Sequence, residues 1–74
     1  MTCDEAVKYI LIEFDKAESK HAPMHSPHEG HSVIREEFEE LWEHVREDTG
    51  RTPKAMHEAA QLGAMALRYM VNLS

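Results

Sequence analysis

Carboxylates crowd one short stretch of the chain, Arg35–Val45, which has the sequence REEFEELWEHV. Five glutamates alternate there with the large apolar residues of an amphipathic helix. The predicted apolar stripe of this helix is Ile34, Phe38, Leu41 and Val45. At about 100° per residue, Glu37 and Glu40 fall beside this stripe, whereas Glu39 and Glu43 point away to water. The carboxylates therefore separate into two classes, and only the first class lies where it could meet another helix.

A second pair of polar residues, Glu58 and Gln61, repeats the three-residue step in a later helical segment. If the two segments pack antiparallel, Glu37, Glu40, Glu58 and Gln61 can form one oxygen-rich cluster. Carboxylates that close repel one another unless one is protonated or a divalent cation joins them, and Mg²⁺ or Mn²⁺ prefers such hard oxygen ligands. The plainer alternative is a solvated helix face whose glutamates pair with nearby arginines.

Four histidines form a looser grouping, at His21, His25, His28 and His31. Two or three imidazoles in such a grouping could bind a transition metal. The segment has no cysteine partner and lacks the H-E-x-x-H arrangement of zinc proteases, so simple solvation is the favoured interpretation.

The overall charge excludes several classes of function. The chain has 74 residues, 14 acidic against 8 basic side chains and a net charge of -6, so it lacks the basic face that a nucleic-acid polymer requires. Its single cysteine, Cys3, cannot form an intramolecular disulfide, and the charged N-terminal residues are unlike a signal peptide. No membrane-spanning run is present in the sequence. A cytoplasmic protein is therefore expected. Because the chain is acidic, a phosphorylated ligand would need a cation to mediate its binding to the protein.

Helical periodicity covers most of the chain and predicts a single all-α domain over residues 1–74. The predicted helices span about residues 2–19, 27–48 and 53–73, with a loop rich in histidine and proline at 20–26. Thr2 with Glu5, and Ser26 with Glu29, have the spacing of capping boxes.

The short connection between the second and third helices predicts that they are antiparallel neighbours. Thr49-Gly50 predicts the stop, because glycine tolerates the left-handed cap, and Thr52-Pro53 predicts the next start. The third helix is apolar over more than half its circumference and must be covered on two sides. Its small residues Ala59, Gly63 and Ala66 would admit a helix from a second subunit. Because so small a domain has a marginal core, a homodimer or homotetramer is expected.

The run Glu36–Leu41, EEFEEL, resembles the E-E-x-x-E-L signature of the MazG-like all-α nucleotide pyrophosphohydrolases, a family that also includes dimeric dUTPases. That family places E-x-x-E on one helix and E-x-x-D on the next. Glu37 and Glu40 match the first pair, and Glu58 matches the first member of the second. The longer runs HEGHSVIREEFEELW and EAAQLGAMALRYM are also similar to a compact subgroup of phage and prokaryotic proteins. The resemblance covers about residues 28–70.

This resemblance implies a three-helix protomer that dimerises into a MazG-like helical bundle. The implied activity is the hydrolysis of a nucleoside triphosphate to a monophosphate and pyrophosphate, with Mg²⁺, or Mn²⁺ in its place, as the cofactor. The implied metal ligands are Glu37, Glu40, Glu58 and Gln61. Either Glu36 or His44 is expected to orient or deprotonate the attacking water.

The chain departs from the family pattern at Gln61, where aspartate is expected. An amide oxygen can ligate a cation but brings no negative charge, so both metal affinity and catalysis are expected to fall. The alternative function is therefore a catalytically weakened relative that acts as a helical binding or assembly module.

Overall fold

Three α-helices, and no strand, make up the regular structure of the protein. The computed structural model describes all residues from Met1 to Ser74. Helix α1 spans Cys3–Lys20, α2 spans Pro27–Arg46 and α3 spans Pro53–Leu73. The prediction of an all-α chain with three helices is confirmed. None of the three helices has both the length and the apolar character needed to cross a membrane.

Side-chain caps define the starts of α1 and α2. Thr2 and Glu5 form a complete capping box, in which the Thr2 hydroxyl accepts from the Glu5 N–H at 3.1 Å and the Glu5 carboxylate accepts from the Thr2 N–H at 2.9 Å. At the second predicted box, Ser26 accepts from the Glu29 N–H at 3.1 Å, but the Glu29 carboxylate accepts from His25 instead of from Ser26. The second cap therefore includes only one of the two bonds of the box.

The end of α2 differs from the predicted one. The helix ends at Arg46, and the left-handed residue beyond it is Asp48, with φ 60°, whereas Gly50 does not have a positive φ. The Thr49 N–H donates to the His44 carbonyl at 2.8 Å across this turn, as in a Schellman motif. Aspartate tolerates this conformation better than most residues because its short polar side chain can bond locally. Helix α2 consequently stops before the glycine.

Helix α3 is the centre of the packing. Helices α1 and α2 each pack against α3, and they do not contact each other. Tyr9 near the start of α1 bonds to His57 near the start of α3, and Glu18 near the end of α1 bonds to Asn72 near the end of α3. Helices α1 and α3 therefore run parallel, and a cleft is left open between α1 and α2.

Two glycines allow the close approach of neighbouring helices. A Cβ atom at Gly30 would lie 2.6 Å from the Tyr69 ring, and one at Gly63 would lie 2.9 Å from the Ile10 side chain. The first contact joins the start of α2 to the end of α3, which confirms the predicted antiparallel pairing. The second contact is made by α1, so α1 covers Gly63, where a second subunit was predicted to approach.

The core is thin. Its buried apolar residues are Met24, Ala55, Ala60, Ala64 and Met65, and no large side chain is completely buried. Larger apolar residues such as Phe14 and Ile34 pack against this core while remaining half-buried. Such a core supplies limited stability by itself, since hydrophobic stabilisation follows the apolar area removed from water.

The loop that joins α1 to α2 is fastened to the C-terminal half of α3. Arg68 donates to the Ala22 carbonyl at 2.9 Å. The Asn72 side chain accepts from the Met24 N–H at 2.8 Å and donates to Glu18 at 2.8 Å. These bonds satisfy the irregular backbone and place the Met24 side chain in the core, so the loop closes one end of the cleft.

Candidate functional site

Three carboxylates converge where α2 meets the first turns of α3. Glu37 and Glu40 lie one turn apart on α2, and Glu58 approaches them from α3. One carboxylate oxygen from each residue lies within 4.8 Å of the other two, and no other group of three or more acidic, histidine or cysteine side chains lies this close. We refer to Glu37, Glu40 and Glu58 as the carboxylate cluster. The structure thus brings together the three glutamates that the sequence predicted to meet.

Burial and mutual repulsion both disfavour the charged form of the carboxylate cluster. One oxygen of Glu37 and one of Glu58 are buried without a hydrogen-bond partner. Burial, followed by repulsion from Glu40, raises the pKa of Glu37 to about 7. Burial is also the largest cause that raises the pKa of Glu58, while the electrostatic effects of His57 and His44 act in the opposite direction. Protonation, or a bound cation, would relieve this repulsion.

The side chain of Gln61, the fourth predicted ligand, is bonded to α1 and not to the carboxylate cluster. Its amide nitrogen donates to the Glu13 carboxylate of α1 at 3.4 Å, and its side chain makes no hydrogen bond to the carboxylate cluster. The amide oxygen, which is the only atom of this side chain that can ligate a cation, takes part in no hydrogen bond.

The two residues predicted to act on water lie in different places. Glu36 is exposed and lines the cleft beside Glu37. His44 does not line the cleft: its Nδ1 atom lies 3.3 Å from the Thr49 hydroxyl at the C-terminal end of α2. Glu36 is therefore the better placed of the two to meet a ligand in the cleft.

The cleft between α1 and α2 has a volume of about 630 Å³, within the usual range for small-molecule sites. Side chains of α3, including His57 and Gln61, form its floor. Glu37 belongs both to the cleft wall and to the carboxylate cluster. A ligand in the cleft would therefore meet the carboxylate cluster at Glu37, because Glu40 and Glu58 do not line the cleft.

Sequence reasoning missed a buried polar network on the α1 side of the cleft. The centre of this network is Glu13, which is only 7% exposed and accepts from Lys16 at 3.3 Å as well as from Gln61. The His57 Nε2 atom lies 3.7 Å from Glu13, and its Nδ1 atom lies 3.0 Å from the Tyr9 hydroxyl. The sequence did contain one signal, the position of Glu13 on a helical wheel. It falls beside Ile10, Phe14 and Ala17, the apolar residues of α1 that pack against the core, where a solvated carboxylate is not expected.

His21 and His25 precede α2, whereas His28 and His31 lie in its first turns, and all four are exposed. No three of them lie close enough together to share a metal ion.

Fold and site together define a small all-α protein in which an open cleft ends at a half-buried carboxylate cluster. No protein-family model, curated protein or solved structure matches the chain. The assignment of a function therefore depends on the residues and their geometry.

Proposed function

We propose that this protein is a Mg²⁺-dependent nucleoside triphosphate pyrophosphohydrolase of the MazG-like kind. The observation that carries the proposal is the pair of buried, unpartnered carboxylate oxygens of Glu37 and Glu58, which lie beside Glu40 at the end of the cleft. Buried polar atoms are normally hydrogen-bonded, so two unpartnered carboxylate oxygens at one place support the proposal that a cation binds there.

The donor set suits a hard divalent cation. Glu37, Glu40 and Glu58 would hold Mg²⁺ or Mn²⁺ through oxygen ligands, and the Gln61 amide oxygen, one turn beyond Glu58, could join them. When bound, the cation would neutralise phosphate charge and so allow an acidic chain to accept a polyanionic ligand. Without such a partner, part of the carboxylate cluster must be protonated near neutral pH, because burial and repulsion raise the pKa of Glu37.

The remaining chemistry falls to exposed side chains of the cleft. Glu36 lies on the cleft wall beside Glu37 and can accept a proton from the water that attacks between the α and β phosphates. The products would be a nucleoside monophosphate and pyrophosphate. His44 is bound to Thr49 outside the cleft, and we assign it no part in proton transfer.

Pyrophosphate release from a panel of nucleoside triphosphates tests the proposal directly. The parent protein should release pyrophosphate only when Mg²⁺ or Mn²⁺ is present. Glu37→Gln should slow this release by about 100-fold or more, because even residues behind the direct ligands of a metal contribute 10- to 100-fold. Glu39→Gln is the matched control, since Glu39 lies on the same helix but is exposed and paired with Arg35. Equal losses in the two variants, or turnover without a divalent cation, would contradict the proposal.

The alternative function, a weakened relative that serves as a binding or assembly module, is favoured by one specific contact. The Gln61 amide is already engaged by Glu13 and adds no negative charge to the carboxylate cluster. If no triphosphate is turned over while the protein still binds Mg²⁺ and associates with itself, this alternative replaces the enzymatic one.

Self-association is part of the same proposal, and α2 supplies the surface for it. Phe38, Trp42 and Val45 are 61%, 52% and 48% exposed and follow one another at helical spacing, so we call them the α2 stripe. Leaving three large apolar side chains in water is costly. The thin core, which contains no large, fully buried side chain, contributes little stability to offset that cost. We propose that two copies of the chain bury it in a homodimer, from which a homotetramer could be built.

The molar mass in solution checks this arrangement. The parent chain of 8.5 kDa should elute from a size-exclusion column with at least twice that mass by light scattering. Phe38→Gln/Trp42→Gln should elute as a monomer, because the stripe loses most of its apolar area. Met70→Gln, which changes an exposed apolar residue outside the stripe, should leave the mass unchanged. A monomeric parent, or a double variant of unchanged mass, would exclude the α2 stripe as the interface.

A further inference from the structure

The two walls of the cleft carry opposite charge. On the α2 side lie the carboxylates Glu29, Glu36 and Glu37. On the α1 side lie the ammonium groups of Lys16 and Lys20 together with one carboxylate, Glu13, which is 7% exposed and paired with Lys16. The whole chain contains only eight lysines and arginines and has a net charge of -6. Two of these eight basic side chains line the same wall of the cleft, so basic residues are concentrated there. The cleft is therefore suited to a ligand that is positive on one side and negative on the other.

The two lysines remain available to a ligand. Lys16 makes one ion pair, to Glu13 at 3.3 Å, and its side chain is 69% exposed, so further ammonium donors face water. Lys20 lies one turn further along α1, is exposed and makes no ion pair. Ammonium groups at this spacing are neighbours on one helix face and repel each other slightly, a cost that an anion placed between them removes.

A third cation, Arg68, lines the cleft near the loop but is already paired. It is only 3% exposed, donates to the Ala22 carbonyl at 2.9 Å and forms an ion pair with the Glu18 carboxylate at 3.7 Å. Because Glu18 offsets this charge, the binding of an anion in the cleft depends on Lys16 and Lys20.

We propose that Lys16 and Lys20 form a phosphate-binding wall, which holds the diphosphate group of a ligand whose other side meets a cation at the carboxylate cluster. This inference deepens the proposed function and rests on it for the position of the cation. It identifies α1, which the family resemblance does not cover, as the helix that recognises the anion. Binding can be measured without turnover, so the two proposals can fail separately.

Calorimetric titration with pyrophosphate in the presence of Mg²⁺ tests the wall. Lys16→Gln/Lys20→Gln should weaken binding by about tenfold or more, since charge-assisted hydrogen bonds are the stronger kind. The matched control is Lys8→Gln/Arg35→Gln, which removes the same charge outside the cleft and should change the affinity by less than about threefold, because distant exposed charges are screened. Lys16→Arg/Lys20→Arg should retain most of the affinity.

Lys20→Gln alone controls for a folding artefact, because Lys20 makes no ion pair. Its loss should leave the melting temperature unchanged while still weakening binding severalfold.

A parallel titration with an α,β-methylene nucleoside triphosphate distinguishes a nucleotide from free pyrophosphate as the source of the diphosphate. Equal affinities of the parent and the lysine variants for both probes would overturn the inference, as would a parent that binds neither. Lysine-dependent binding without hydrolysis would support the wall and contradict only the enzymatic proposal.

Discussion

Glu37→Gln is expected to make the protein more stable at pH 8 in the absence of divalent cations. Burial and the neighbouring Glu40 raise the folded-state pKa of Glu37 from 4.5 to about 7. Between these values the folded state binds more protons than the unfolded state, so the free energy of unfolding falls as the pH rises through this window and is level above it. The full shift corresponds to about 3 kcal/mol, and partial exposure reduces this, so we expect a gain of about 1 to 2 kcal/mol.

Urea unfolding at a series of pH values from 5 to 8 measures this effect. The parent should lose stability across the window, and Glu37→Gln should show a smaller slope; part of the slope should persist because burial also raises the pKa of Glu58. Millimolar Mg²⁺ should stabilise the parent at pH 8 and have little effect on the variant. Glu39→Gln should follow the parent in both respects. A Glu37→Gln protein that is less stable than the parent at pH 8 would show that the carboxylate cluster is not under electrostatic strain.

Gln61→Asp, the substitution that restores the family pattern, is expected to destabilise the protein instead of improving it. The Gln61 amide donates to Glu13, which is almost completely buried. Aspartate at this position would replace a donor with a second carboxylate, and Glu13 would lose a hydrogen bond while gaining a repulsive neighbour. We expect a loss of about 2 kcal/mol at pH 8, with no gain in the rate of pyrophosphate release.

Pairing this substitution with a change at Glu13 makes the test specific. Glu13→Gln/Gln61→Asp restores a donor and an acceptor across the α1–α3 contact, so it should recover most of the stability lost in Gln61→Asp. Thermal unfolding of the parent, both single variants and the double variant gives the coupling energy between the two residues. A Gln61→Asp protein that is as stable as the parent and hydrolyses triphosphates faster would show that position 61 serves the carboxylate cluster, not α1.

The local structure of the chain follows directly from its sequence. Helix starts depend on residues three or four apart, and side-chain caps form at Thr2, Ser26 and Thr52. Of the two predicted capping boxes, only the one at Thr2 is complete. The same periodicity places Glu37 and Glu40 on one face of α2. The helix stop was harder to predict, because two residues near the turn, Asp48 and Gly50, can both accept a left-handed conformation and the sequence favours the glycine.

The arrangement around the cleft was decided only by the tertiary structure. Glu13 and Gln61 are 48 residues apart, and their contact depends on how α1 crosses α3, which no local pattern specifies. The same crossing places Ile10 over Gly63 and turns Lys16 toward the cleft. The sequence alone therefore determined which carboxylates share a helix face, because that depends on helical geometry. Which side chains face them across the cleft was decided by the packing of helices distant in the chain.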